Sequence, residues 1–125
     1  MTRKWLFLAA AALVLNASLW LASGALSGIG DYFFGPKMVR AEVVLVDGGV
    51  VHDYRIDRGR IRAIAPGSLT LREKDGSVVT IAVSPTASIT LGGRVVSFDR
   101  LRPGMGAETV RDGDAPATAV RATLR

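Results

Sequence analysis

The hydrophobic positions of this chain follow two patterns that meet between residues 26 and 39. From Trp5 to Leu26 no charged residue interrupts a long apolar run, whereas the rest of the chain has short apolar stretches separated by glycine, proline and aspartate. The first pattern is typical of a membrane-directed helix, and the second is typical of short β-strands. The sequence therefore predicts one N-terminal hydrophobic helix followed by a small all-β domain.

The charges that flank the apolar run predict its orientation. Arg3 and Lys4 precede it, and the next charged residue is Asp31. Because positive residues stay on the cytoplasmic side, we expect the N-terminus to be cytoplasmic and the C-terminus to lie outside. A helix over Trp5 to Leu26 would span roughly 33 Å, enough to cross the hydrocarbon core of a bilayer.

The same segment also has the features of a secretory signal, because small residues near its end permit cleavage. Both alternatives therefore stay open, a cleaved signal peptide and an uncleaved single-pass anchor. Gly24 and Gly28 form a small-xxx-small pair that gives a weak indication of helix dimerisation in the membrane. We expect residues 1–28 to be the signal or anchor, 29–38 a linker, and 39–125 an extracytoplasmic domain.

Turn residues divide the outer part into predicted strands. Asp47-Gly48-Gly49 separates Glu42–Val46 from Val50–Ile56, which predicts a hairpin. Leu69 and Leu71 alternate with polar residues after the turn dipeptide Pro66-Gly67 and are expected to face the core. Asp75-Gly76 leads into an alternating strand, Val78–Val83, and Ser84-Pro85 is expected to end it. Closure of such short strands hides their edges. The pattern predicts a small antiparallel β-barrel or sandwich, OB-like or similar.

The C-terminal third adds a helical turn and two more strands to this prediction. Phe98–Arg102 is expected to form a single helical turn before Pro103-Gly104. That turn would let apolar side chains close one end of the sheet. The last two strands are predicted at about Gly106–Arg111 and Ala115–Thr123, on either side of Asp112-Gly113-Asp114.

Four consecutive segments carry a resemblance to a known group of domains: Asp57–Ile64, Gly67–Leu71, Asp75–Ile81 and Leu101–Met105. Their order resembles that of small exported bacterial β-barrel domains of unknown function, over about residues 55–123. The high arginine and alanine content is similar to that of actinobacterial proteins. The resemblance implies a fold and supplies no catalytic residue.

Few residues of this chain are suited to catalysis or metal binding. There is no cysteine, which excludes disulfides, thiolate metal sites and a lipidated cysteine, and His52 is the single histidine. Asp112-Gly113-Asp114 lacks the further oxygen ligands of a calcium loop. No nucleophile motif is present. We therefore expect no catalytic residue, metal or cofactor, although a small hydrolase with a site around His52 and Asp53 remains a less favoured alternative.

Basic residues provide the candidate interaction surface. Arg58, Arg60 and Arg62 share one face of a strand by the two-residue period, and Arg72 and Lys74 extend this ridge. From Leu26 onward 14 Lys and Arg face 11 Asp and Glu, a net charge of about +3. Such a ridge suits an anionic polymer or lipid headgroups, or it is simply a solvated face. Nucleic acid is not expected, because the domain faces outward and lacks an aromatic stacking platform.

These observations predict a membrane-anchored envelope protein whose outer domain is a non-catalytic binding or accessory module. Its partner would be another envelope protein or a cell-wall polymer. The alternative is a secreted binding domain with a cleaved signal peptide.

Overall fold

The structure is a computed structural model that describes residues 33–125. The predicted hydrophobic helix, the choice between signal peptide and anchor, and the Gly24/Gly28 dimerisation pair lie outside the described residues. Within residues 33–125, no helix has the length and apolar character needed to cross a bilayer. Residues Val39–Arg125 form one compact unit.

That unit is built almost wholly of strands, which confirms the all-β prediction. One short 3-10 turn, Phe98–Arg100, lies between the fifth and sixth strands and confirms the predicted helical turn. The strands are β1 Arg40–Asp47, β2 Val50–Ala65, β3 Ser68–Glu73, β4 Val78–Leu91, β5 Arg94–Val95, β6 Gly106–Asp112 and β7 Ala117–Thr123.

The strands form one mixed sheet in the order β1-β2-β3-β4-β7-β6, with β5 paired to β4. Strand β2 also pairs with β6, so the pairings of β2, β3, β4, β7 and β6 form a closed cycle. The prediction of an antiparallel sheet is wrong at one place, because β4 and β7 are parallel. Strand β6 lies between β4 and β7 in the chain and is antiparallel to β7, so β7 runs in the same direction as β4.

Strand β2 is longer than the sequence pattern predicts, because along one edge it pairs with two successive strands. It pairs with β1 as far as Asp57 and with β3 from Gly59 onward. A side chain at Gly59 would not fit, since a Cβ there would lie 2.5 Å from the Arg72 carbonyl oxygen. Glycine therefore permits the close approach of β2 and β3 at this change of partner.

Strand β4 also continues where the sequence predicts an end, at Ser84-Pro85. Its pairing with β7 shifts register between Val83 and Ser88, so Pro85 falls in a stretch without a ladder partner. Its pairing with β3 covers only Val78 to Ala82. Proline lacks an N–H group and is tolerated there because no ladder hydrogen bond requires one.

The core is formed by inward side chains from the whole cycle. Leu69 and Leu71 of β3 and Ile81 of β4 are fully buried, as the alternating pattern of these strands predicts. Leu101, which follows the 3-10 turn, is also buried, with Phe98 and Met105 packed against the core. The core cluster comprises Ile61, Leu69, Leu71, Ile81, Val83, Ile89, Leu101, Ala107, Ala117, Val120 and Ala122.

Candidate anion-binding cleft

Basic side chains from separate parts of the chain meet on the face of the sheet opposite the core. Arg60 pairs across strands with Arg72 of β3 and with Gly106 of β6. Arg58 pairs with Glu108, and Glu108 pairs with Arg121 of β7. Because residues directly opposite one another project from the same face, four neighbouring strands contribute to one surface.

This surface contains a cleft of about 490 Å³, within the size range of small-molecule sites. Six basic and two acidic residues line it, and we refer to it as the basic cleft. Gly106 forms part of its wall, and a Cβ there would lie 2.7 Å from Thr123 Oγ1. The charged lining residues are Arg58, Arg60, Arg72, Lys74, Arg121, Arg125, Glu73 and Glu108.

Four of the five residues that the sequence predicts as an interaction surface line the basic cleft, and Arg62 does not. A register shift between Ile61 and Ala63 interrupts the alternation of β2 at this point. Arg62 lies at the irregularity, is exposed and has no ladder partner in β3. The two-residue period therefore holds for Arg58 and Arg60 and fails at the third arginine.

Glu108 forms ion pairs with two of the cleft arginines, Arg58 and Arg121. Its buried carboxylate accepts hydrogen bonds from Arg58 Nε at 3.0 Å and Nη2 at 2.7 Å, both at Oε2. Its other oxygen lies 3.8 Å from Arg121 Nη2. Two cations thus compensate one buried carboxylate, and the two hydrogen bonds fix the Arg58 side chain. Much of the charge of Arg58 is already neutralised within the protein.

Other arginines of the basic cleft lack such a partner. Arg60 Nη1 donates to the Gly104 carbonyl at 3.2 Å, which orients the guanidinium and leaves its charge uncompensated. Within residues 33–125, no acidic side chain lies within ion-pair distance of Arg60 or Arg72. These groups give the basic cleft its net positive potential.

The second acidic residue of the basic cleft, Glu73, belongs to a network that extends away from it. Burial raises the pKa of Glu73, and the nearby carboxyl of Asp57 raises it further, whereas Arg40 opposes both effects. Arg40 Nη1 lies 3.3 Å from Glu73 Oε1 and 2.9 Å from Asp75 Oδ2. The contact with Arg40 compensates part of the negative charge that Glu73 brings to the basic cleft.

His52 and Asp53, the residues of the hydrolase alternative, are held by different partners. His52 Nδ1 lies 2.7 Å from Asp112 Oδ2, and its buried ring stacks on Tyr54 at 5.4 Å. Asp53 instead pairs with Arg55 Nη2 at 3.5 Å, while its backbone N–H donates to Asp112 Oδ1 at 2.9 Å. The geometry explains His52 and Asp112 as a link between β2 and the β6–β7 turn.

Burial would raise the pKa of the Asp112 carboxyl, but the hydrogen bonds from His52 and the Asp53 N–H outweigh it and lower the pKa.

Within residues 33–125, no cluster of three or more histidine, cysteine, aspartate or glutamate side chains could hold a metal ion.

The sequence pattern does not identify Arg121, Arg125 or Glu108 as cleft residues. Arg121 alternates with buried Val120 and Ala122 in β7, a signal that marks an outward face. No local pattern indicates that this face adjoins β2, because the order of β2, β6 and β7 depends on closure of the strand cycle. For the same reason the sequence does not identify Glu108 of β6 as the partner of these arginines.

No protein-family model, curated protein or solved structure matches this chain. The functional interpretation therefore follows from the geometry and charge of the basic cleft.

Proposed function

We propose that this protein is an envelope protein, anchored in the membrane by its N-terminal segment, whose β domain is a non-catalytic module that binds an anionic polymer. The observation that carries the proposal is the basic cleft, where six basic residues from separate strands surround one cavity with only two acidic residues. Guanidinium groups bind carboxylate and phosphate through paired hydrogen bonds, so a polymer bearing either group suits this lining.

The strand order supports a binding module of OB-like form. The cycle β2-β3-β4-β7-β6, closed by a pairing between β2 and β6 and containing one parallel pair, has the connectivity of a five-stranded OB-like barrel. Core side chains come from all five of these strands. We propose that the cycle is such a small closed barrel, an architecture that often binds extended polymers on its outer surface.

A polymer segment suits the basic cleft better than a flat lipid surface does. The uncompensated charges of Arg60 and Arg72 line a concavity, where a chain of anionic groups reaches both of them at once. The partly neutralised pair of Arg58 and Glu108 then contributes to the shape of the basic cleft and to the orientation of the polymer more than to the positive charge of the cleft.

Binding of a fluorescent polyglycerol-phosphate oligomer to the full chain in neutral detergent micelles tests this proposal. The double variant R60Q/R72Q removes two cleft charges, and R62Q/R94Q removes two exposed charges outside the cleft. We expect R60Q/R72Q to weaken binding by roughly tenfold or more and to lower the salt slope by about 2. Equal weakening by the two double variants would show that net charge alone attracts the polymer and would refute the proposal.

A further inference from the structure

Strand β1 presents an open edge on the part of the chain that the structure describes. It is the terminal strand of the sheet order and pairs only with β2. All eight of its residues pair in unbroken register, so it has no bulge, and it contains no proline or lysine. Natural proteins protect edge strands with these devices, because unpaired N–H and C=O groups recruit another strand.

The same hairpin exposes an apolar patch. Val44, Val46 and Val51 are 59%, 71% and 64% exposed. Val46 lies directly opposite Val51, and alternation places Val44 on the same face. We refer to these three residues as the valine patch. Contiguous exposed apolar residues on a soluble surface usually mark a contact with another molecule.

We infer that β1 pairs antiparallel with β1 of a second copy of this chain, which continues the sheet across a two-fold axis. This interaction surface is independent of the proposed polymer binding, since no residue of β1 lines the basic cleft.

Self-pairing centred on Val44 determines which side chains meet on each face. It places Val44 opposite itself, Val43 opposite Leu45 of the second copy, and Val46 opposite Glu42 of the second copy. The two valine patches then meet at the contact between the two Val44 side chains, with Val46 of each copy diagonally adjacent to Val44 of the other. Glu42 keeps Arg55 as its directly opposite residue within its own copy.

The charges of β1 select this orientation. A parallel, in-register pair would place Arg40, Glu42 and Asp47 each against the same residue of the other copy, and like charges directly opposite one another are destabilising. The antiparallel pair centred on Val44 opposes none of these charges to a like charge. A second copy of the chain is therefore a complementary occupant of the edge.

Cysteine crosslinking tests the inference cleanly, because the chain has no cysteine of its own. Directly opposite Cα atoms in an antiparallel pair lie about 4.5–5.5 Å apart, within the range that a disulfide bridges. Full-length V44C, purified in detergent micelles and mildly oxidised, should form a disulfide-linked dimer. V95C is the matched control, since Val95 is 83% exposed and lies on β5.

Adding Val46→Glu to V44C places this glutamate opposite Glu42 of the second copy, where like charges repel, and should lower the crosslinked fraction about tenfold. Preferential crosslinking of V43C over V44C would also support β1 self-pairing, with the axis moved by one residue. The inference is overturned if neither V43C nor V44C exceeds V95C, or if Val46→Glu leaves the V44C dimer unchanged. The crosslinking result does not depend on polymer binding, so it tests β1 self-pairing whatever the effect of R60Q/R72Q on polymer affinity.

Discussion

Glu108→Gln should change polymer affinity and folding stability in opposite directions. The wild-type carboxylate is buried and contacts Arg58 at 2.7 Å and Arg121 at 3.8 Å. Glutamine retains the shape and one hydrogen-bond acceptor but removes the negative charge that faces both guanidinium groups. Breaking a fully buried pair costs about 3–5 kcal/mol, but both arginines are partly exposed and solvent screens them. We therefore expect a loss of about 1–3 kcal/mol in the free energy of unfolding.

The same change raises the net charge of the basic cleft by one. A basic group near an anionic surface contributes on the order of 1 kcal/mol, so polyglycerol-phosphate affinity should rise about fivefold at low salt. Urea unfolding and fluorescence anisotropy measure the two effects on the same protein preparation. Glu42→Gln is the matched control, because Glu42 is exposed and lies outside the cleft. Unchanged or weaker binding by Glu108→Gln, with the fold intact, would refute the assignment of Glu108 as the internal counter-charge.

Three further substitutions test the fold and its response to pH, each by urea unfolding. Gly59→Ala should cost about 1–3 kcal/mol, because the added Cβ meets the Arg72 carbonyl at 2.5 Å, and an unchanged midpoint would contradict this close approach. Leu101→Ala should cost about 2–5 kcal/mol as a buried core truncation, whereas a loss below about 1 kcal/mol would show that Leu101 does not close the core. Asp112→Asn should flatten the acid dependence of stability. The pKa of Asp112 is lowered in the folded state, so its stabilisation is complete above the ordinary value of 3.8 and is lost as pH falls through the folded pKa. Equal losses between pH 6 and pH 2.5 in the variant and wild type would contradict this.

Local turn chemistry made the hairpins predictable from sequence. Gly48 and Gly49 have φ values of 56° and 79°, and Gly76 has 88°, which glycine adopts without strain. The turns at these positions join adjacent antiparallel strands, so their registers follow from neighbouring residues. The buried leucines of β3 and the turn before Leu101 were predictable for the same reason, because each depends on a short stretch of chain.

The nonlocal pairings were not predictable. The parallel contact of β4 with β7 and the pairing of β2 with β6 depend on how the whole cycle closes, which no local spacing specifies. The candidate site shows the same limit. Alternation placed Arg58 and Arg60 together, but it could not show the irregularity at Arg62 or the arrival of Arg121 from β7.

Mapping the bound polymer on the protein tests the central claim most directly. Backbone amide chemical shifts of the full chain in micelles, recorded during titration with polyglycerol phosphate, report which strands the polymer contacts. The account predicts that the largest changes fall together in residues 58–60, 72–74, 106–108 and 121–125, which line the basic cleft. Changes concentrated instead in the β1–β2 hairpin, or spread evenly over all exposed basic residues, would contradict it.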